Sequence, residues 1–516
     1  MQGLYPLFTA LPLAIAFLNL LLSKLSKKVS DYLAFLVMAV LAAMSINMLF
    51  AEPFSYHVGG WAPPWGILLV SDGLSSMILV VINIIGLLAM IFSISYMNTY
   101  TAKPKYYTLF LLMVGGMNGV VITGDFFNLY VFLEIASIAS YALVGFGCER
   151  EELEASFKYL ILGGVASTAV LFGIAFMYSL TGTLNMPDVA HQLEFMEMNR
   201  AIAFALAMFI MGFGLKASTV PFHAWLPDAH PSAPAPISAM LSGVLIKALG
   251  VYAIARVMFH VFGPNDMISA ILMFLGALSM LVGVIMAVGQ SDFKRMLAYH
   301  SISQMGYVTL GLGLGLNPNV SPAIAAFGLL GGLFHLANHA VFKSCLFLSS
   351  GSFEFRTGTR NKFEMGGLIR KMPITSTTCS IASLSISGVP PFNGFWSKLI
   401  IIAAFIQAAL YSQGSSKAWF MVYGIIAVFV AFMTLISFVR LQKSVIFGRL
   451  PEKFASVREA PFSMVLPLVI LAILCLGIGI AYPFIHDTLL EAAKDALLDK
   501  RSEEHTSELQ SPSAIS

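Results

Sequence analysis

Five ionisable side chains stand in apolar stretches where burial makes them costly. Lys216, Lys247, Lys343 and Lys398 each sit deep in a long hydrophobic run, and Glu134 sits in another. Carrying a charge to the centre of a bilayer costs roughly 2.5–3.5 kcal/mol on insertion scales. Groups that expensive face one another or a wet cavity, and their default chemistry is moving protons or ions across a membrane. His335, His339 and Lys343 fall at i, i+4 and i+8, so one helix face carries all three. Imidazoles with an ordinary pKa of about 6.5 suit proton relay, although hydrogen-bonded contacts between helices would also use them. Two histidines on one face of one helix cannot hold a haem iron from opposite sides. A metal pair there lacks nearby carboxylate or cysteine partners.

Glu134 lies in NLYVFLEIASIASYALVG, where a lone carboxylate must stay neutral or find a cation. Lys216 is the candidate partner. Such a pair is either adjustable, letting the lysine release and recapture a proton, or a static ion pair that fixes packing. Lys247, in SGVLIKALGVYAI, has no carboxylate in its own run and is too far from either end to reach an interface. It is therefore a candidate next stop. His300 lies close to the start of its run and reads equally as an interfacial residue.

The elements that must position these groups follow from composition. Of 516 residues, 58% are hydrophobic and 11% charged, against about 25% charged in soluble domains. This is a polytopic membrane protein, all α-helical, because an isolated segment in lipid must satisfy its own backbone. Spans of about 20 residues are expected near 4–22, 32–51, 74–96, 106–123, 126–146, 159–180, 201–222, 236–259, 267–289, 294–315, 322–349, 373–405, 418–439 and 464–485. No cleavable signal peptide is expected. With the N-terminus outside, the odd-numbered loops hold most of the 29 Lys and Arg residues, among them Lys24, Lys103, Arg360 and Lys371. The even-numbered loops hold Arg200, Arg256 and Lys417. That asymmetry fits the positive-inside rule, with both termini outside and the chain in the plasma membrane. The four cysteines (Cys148, Cys345, Cys379, Cys475) are scattered and suggest no disulfide framework, haem attachment or zinc site. Residues 501–516, RSEEHTSELQSPSAIS, match nothing before them and look like a translated sequencing-library adapter. The membrane domain is therefore taken as 1–500.

Two runs contain central prolines. The seventh reads AMFIMGFGLKASTVPFHAWLP, with Lys216 before Pro221; the twelfth reads SLSISGVPPFNGFWSKLIII, with Lys398 after Pro391. Proline removes a backbone donor and breaks the turn before it. A broken helix in lipid marks a polar cavity, although an ordinary kink is the plainer alternative. The two lie five spans apart, an odd number, so a repeat pairing about 106–259 with about 267–446 would be inverted. Transporters often use that plan.

Several segments carry a resemblance: LKASTVPFHAWLPDAHPSAPAPISAML (215–241), GDFFNLYVFLEI (124–135), KRMLAYHSISQMGY (294–307), HLANHAVFKSCLFL (335–348) and GVPPFNGFWSKL (388–399). In order, over the chain to about residue 485, they resemble the antiporter-like subunits of complex I and of Mrp-type cation/proton antiporters. The resemblance implies fourteen helices, two inverted five-helix units and a polar axis in the membrane plane. It implies a proton path through Glu134, Lys216, Lys247, His335, His339, Lys343 and Lys398, with His223, Asp228, His230 and His300 as access or loop residues. A lysine at 398 fits Mrp D-type subunits, the complex I L-type subunit and related group 4 membrane-bound hydrogenase subunits. The M-type subunit has glutamate there.

Two other functions compete. A solute transporter would gather substrate-specific polar groups around one central site, not ionisable groups on at least five helices. A redox subunit would show Gly-rich nucleotide loops, clustered cysteines or opposed haem histidines. The expectation is therefore no cofactor, no metal, no catalytic chemistry in the chain itself and no nucleic acid. The expected partners are other membrane subunits of an antiporter or respiratory complex, the lipid bilayer, protons and possible sodium.

Overall fold

The computed structural model describes residues 2–24 and 27–498, so the adapter-like segment 501–516 lies outside the described residues. Those residues are almost wholly helical. Twelve helices among them are long and apolar enough to cross a membrane: Gln2–Leu22, Lys28–Met48, Gly73–Thr99, Lys103–Ile122, Phe126–Val144, Arg150–Thr181, Ala235–Phe262, Asp266–Val288, Pro322–Thr357, Asn393–Tyr411, Gly414–Ile446 and Phe462–Ile480. Fourteen were expected. The two that fall short are also helical. The seventh run gives Arg200–Lys216, cut to 17 residues by its break. The tenth gives Phe293–Gly315, whose Lys294, Arg295, His300, Gln304 and glycines dilute its apolar content while nearly all of it is buried. Its close fit to the ninth helix comes from small residues. A Cβ on Gly306 would lie 2.5 Å from the carbonyl of Gly276, so the two backbones touch there.

Both proline-bearing runs are broken. Arg200–Lys216 ends at the lysine, an irregular stretch follows, and Leu226–Ser232 resumes as a short helix. Pro373–Ser387 ends at Gly388 (φ +79°), and Asn393–Tyr411 resumes after it. The breaks are not mirror copies, since Lys216 precedes its break and Lys398 follows its own. Freed polar groups are met by protein, as the lipid environment demands. The Trp225 indole donates to Leu215 O (3.0 Å) and Val220 N to Ser279 Oγ (2.9 Å). At the second break, Asn393 and Asn338 bond reciprocally at 3.0 Å, and the Trp396 indole donates to Gly479 O at 2.9 Å.

The eighth helix, Ala235–Phe262, is buried along nearly its whole length, and its stretches Leu241–Tyr252 and Val257–Phe262 wind as π-helix. Gly250 lets it press against the first break, because a Cβ there would meet the Ala217 backbone at 2.4 Å.

Three features were not foreseen. A two-stranded antiparallel hairpin, β1 (Phe54–His57) on β2 (Leu68–Ser71), joins the second and third helices. A short helix, Glu491–Leu498, lies beyond the fourteenth and packs against the start of the third. Finally, a local motif occurs twice. Thr181-Gly-Thr-Leu-Asn185 closes the sixth helix and Thr357-Gly-Thr-Arg-Asn361 closes the eleventh, each through a left-handed glycine. The first clasps the start of the fifth helix, with Phe126 N on Leu184 O and Met186 N on Gly124 O, both 2.9 Å. The second clasps the start of the tenth in the same way, with Phe293 N on Arg360 O and Lys362 N on Ser291 O, both 3.0 Å. Asp125 and Asp292 cap the two clasped helices.

Candidate ion-translocation axis

All four lysines singled out by sequence are buried, none more than 3% exposed. Lys216, the last residue of its half-helix, donates to Ser137 Oγ (2.8 Å) and Tyr141 OH (3.1 Å) on the fifth helix. Glu134 lies one turn before Ser137, and its Oε1 is 4.0 Å from Lys216 Nζ. The same oxygen accepts a hydrogen bond from Ser167 of the sixth helix. The expected partners therefore face each other but are held apart, each with a neutral group in closer contact.

The remaining lysines have no carboxylate partner among the described residues. Lys247 Nζ donates to Ser242 O at 2.6 Å, one wide π-turn back along its own helix. Lys343 Nζ donates to Leu297 O on the tenth helix and lies 5.5 Å from the centre of the Phe347 ring. Lys398 Nζ donates to Ile386 O across the second break (2.6 Å) and stands over the Tyr307 ring at 5.2 Å. An ammonium needs donors satisfied, and carbonyls and ring faces do this without adding a formal negative charge.

His335 and His339 are fully buried near these lysines. His335 contacts Ser397 Oγ (2.9 Å), next to Lys398, and Gln304 Oε1 (3.2 Å). Neither ring nitrogen of His339 has a hydrogen-bond partner, and it lies within electrostatic reach of Lys247, Lys343 and Lys398. The trio thus contacts the tenth and twelfth helices and comes within electrostatic reach of Lys247 on the eighth.

The access and loop residues divide. His223 is half-buried at the first break. Asp228 is paired with Arg295 (2.9 Å) and Lys158 (3.1 Å). His230, placed in a loop by sequence, is fully buried because the short helix Leu226–Ser232 tucks inward, and its ring stacks on Phe347 at 4.5 Å. His300 is not interfacial either: it is fully buried, with Nε2 2.8 Å from Ser437 Oγ.

One ionic group was misplaced by sequence. Arg256, counted in an outer loop, lies inside the eighth helix and grips Asp72 with two bonds of 2.5 and 2.8 Å. Asp72 caps the third helix just outside that span. Burial pushes its carboxyl up, but the Arg256 guanidinium more than reverses this and brings it to about 2. Lys294 is 2% exposed and bonds Glu354 at 2.9 Å. Arg256 sits near the end of its run, where counting residues cannot separate loop from helix. Among the described residues, no group of three or more His, Cys, Asp or Glu side chains could hold a metal ion.

A helical membrane protein with two broken helices and an interior line of lysines matches known sequences. Residues 123–430 match the family described as NADH:quinone oxidoreductase/Mrp antiporter, TM, and residues 56–107 match NADH-ubiquinone oxidoreductase (complex I), chain 5 N-terminus. The chain belongs to this antiporter-like family of multi-pass membrane proteins.

Among its relatives, the N-type subunit of NADH-quinone oxidoreductase from Desulforudis audaxviator (strain MP104C) is 36% identical over 496 residues, 92% of this chain and 94% of that protein. The D-type subunit of the Na(+)/H(+) antiporter from Alkalihalophilus pseudofirmus is 33% identical over 448 residues, 86% of each. A chain of the Mrp complex from Dietzia sp. DQ12-45-1b superposes with a TM-score of 0.87 at 26% identity, covering 97% of this chain and 98% of that one.

Proposed function

We propose that this chain is a proton-translocating subunit of a multisubunit membrane complex, foremost the D-type subunit of an Mrp monovalent cation/proton antiporter. One observation carries the reading: four buried lysines donate to neutral groups, and among the described residues the one carboxylate within ion-pair distance of any of them, Glu134, is held at 4.0 Å from Lys216. A lysine locked to a carboxylate keeps its proton; one resting on a hydroxyl or carbonyl can give it up.

In this scheme Glu134 moves towards or away from Lys216 and thereby sets when that lysine releases its proton. Lys247, His339, Lys343 and His335 pass charge between the halves, and Lys398 is the terminal station. Two inverted five-helix units, about 106–259 and 267–446, would supply half-channels to opposite faces. The paired Thr-Gly-Thr-x-Asn clasps, five helices apart, support that symmetry. Fourteen crossings, a plasma-membrane location and both termini outside complete the arrangement, with other membrane subunits as partners and protons, with sodium as a possible second ion, as cargo. The second reading is an antiporter-like subunit of complex I or of a group 4 membrane-bound hydrogenase. The 36% identity to an N-type subunit of NADH-quinone oxidoreductase favours it.

Lys216→Ala and Glu134→Ala should abolish ion-driven ΔpH in inverted vesicles while the complex still assembles. Wild-type transport by either assembled variant would remove the proposed role. Purifying the tagged chain with its native partners separates the readings: small antiporter subunits support the first, and ferredoxin-, hydrogenase- or quinone-linked subunits support the second.

A further inference from the structure

Lys247 and Lys343 lie on different helices within electrostatic reach of each other, with a gap between them that the His339 ring alone does not account for, since neither of its nitrogens has a hydrogen-bond partner. A hydroxyl pair fills it. Ser242, on the eighth helix, has its Oγ 2.7 Å from Ser301 Oγ on the tenth. Ser301 Oγ also donates to Leu297 O at 3.0 Å, and that same carbonyl oxygen receives the Lys343 ammonium. At the other end, Lys247 Nζ rests on the carbonyl of Ser242 itself, 2.6 Å away. Ser242, Ser301, Lys247 and Lys343 are each at most 1% exposed. Three helices therefore bring two lysines to opposite ends of one pair of serines.

The chemistry of those ends is specific. A backbone carbonyl only accepts, so it can hold an ammonium but cannot carry a proton onward. A serine hydroxyl both donates and accepts, and its hydrogen rotates freely. The π-wound turn of the eighth helix folds Lys247 back onto the carbonyl of residue 242, the residue that carries that hydroxyl. Wide turns of this kind are frequent at functional sites.

Resting on the proton-relay reading above, we infer that the Ser242–Ser301 hydroxyl pair is the proton bridge between Lys247 and Lys343. In the forward step an N–H bond of the Lys247 ammonium breaks and an O–H bond forms on Ser242. Ser242 gives its original proton to Ser301, and Ser301 gives its own to the neutral amine of Lys343. Lys247 ends as an amine, Lys343 as an ammonium, and both serines remain neutral hydroxyls that reset by rotation. No other species is consumed. Neither lysine has a carboxylate partner among the described residues, so the two charges repel and the arrival of one favours the departure of the other. The titratable groups within electrostatic reach of one or both of these lysines are His339, His230, His300 and His335, and Lys294 near His230 is already paired to Glu354.

The test uses the assembled complex in inverted vesicles, with Ser242→Ala, Ser301→Ala and the double variant. Assembly, ion-driven ΔpH and the effect of D2O are measured together, with Lys247→Ala as control. Each single alanine should leave assembly intact, slow transport at least about tenfold, and enlarge the solvent isotope effect, because internal proton transfer becomes limiting. The double variant should be no slower than the singles, since one lost hydroxyl already opens the bridge. If Ser242→Ala prevents assembly, Ser301→Ala on the facing helix gives the same reading. Wild-type rates in assembled serine variants overturn the bridge, as do losses that merely track assembly or multiply in the double variant. An unimpaired Lys247→Ala variant would instead strike the relay itself, and the bridge with it.

Discussion

Two ion pairs within this molecule have the same ingredients and opposite geometry. Asp72 and Arg256 meet through two bonds of 2.5 and 2.8 Å, tying the start of the third helix to the eighth. Glu134 and Lys216 face each other at 4.0 Å, with Ser167 on the carboxylate and Ser137 and Tyr141 on the ammonium. The planar guanidinium cannot give up its proton and suits a fixed clamp. The lysine can, and its neighbours keep the carboxylate from trapping it. Tight pairing fastens two helices together; in the proposed relay, loose pairing leaves a charge free to change.

The sharpest way to break that contrast is to remove one side of the tight pair. Asp72→Ala strands Arg256 in a buried setting, and breaking such a pair costs about 3–5 kcal/mol. The expected outcome is poor assembly and a lowered melting temperature of the detergent-solubilised complex. The clamp should also be acid-sensitive. Its carboxyl is at about 2 in the folded protein against an ordinary 3.8, so its contribution is complete above about pH 4 and fades as pH falls towards 2. A melting temperature flat across that window would contradict the assignment. Glu134→Gln should do the reverse. Because Ser167 still has an oxygen to bond and Lys216 keeps Ser137 and Tyr141, stability should barely move, whereas transport should fall about a hundredfold. Equal damage to stability in both variants would erase the distinction between clamp and switch.

That distinction was only half legible in the sequence. Lys216, Lys247, Lys343, Lys398 and Glu134 announce themselves because an ionisable group in an apolar run has few explanations. The broken helices were equally open, since proline has a backbone meaning that does not depend on neighbours. Arg256 was misread as a loop cation because it stands near the end of its run and its partner Asp72 is 184 residues away. His230 was misread for a similar reason: nothing local says that a seven-residue helix will tuck inside. The Ser242–Ser301 contact had no signal at all, since serines are common in helix seams and pairing depends on how two helices face. The repeated Thr-Gly-Thr-x-Asn clasp was readable and overlooked; five residues are too few to stand out until the backbone shows both copies closing the same turn.

A smaller effect probes the first break. Tyr141→Phe removes one of the two hydrogen bonds held by Lys216 and keeps the ring beside it, at a cost of about 0.5–1.5 kcal/mol. With one neutral acceptor lost, the ammonium should lean towards Glu134, and transport should slow several-fold with assembly unchanged. Faster transport would mean that Tyr141 restrains the lysine instead of shielding it.

The smallest effect is expected at the second break, where Lys398 has no carboxylate partner among the described residues and stands over the Tyr307 ring. The Tyr307 hydroxyl points away from the lysine, donating to Ala427 O at 2.5 Å, while the ring face lies 5.2 Å beneath Nζ. These two contacts can be separated. Tyr307→Phe deletes the hydroxyl bond and leaves the ring, so transport should stay within about twofold of wild type even if stability drops by about 1 kcal/mol. Tyr307→Leu deletes both, and losing a desolvated cation–π contact of about 0.5–2 kcal/mol should slow the terminal step further. The comparison that matters is phenylalanine against leucine, because both lack the hydroxyl. If both variants transport equally, the ring is packing alone, and the carbonyl of Ile386 by itself holds the Lys398 charge.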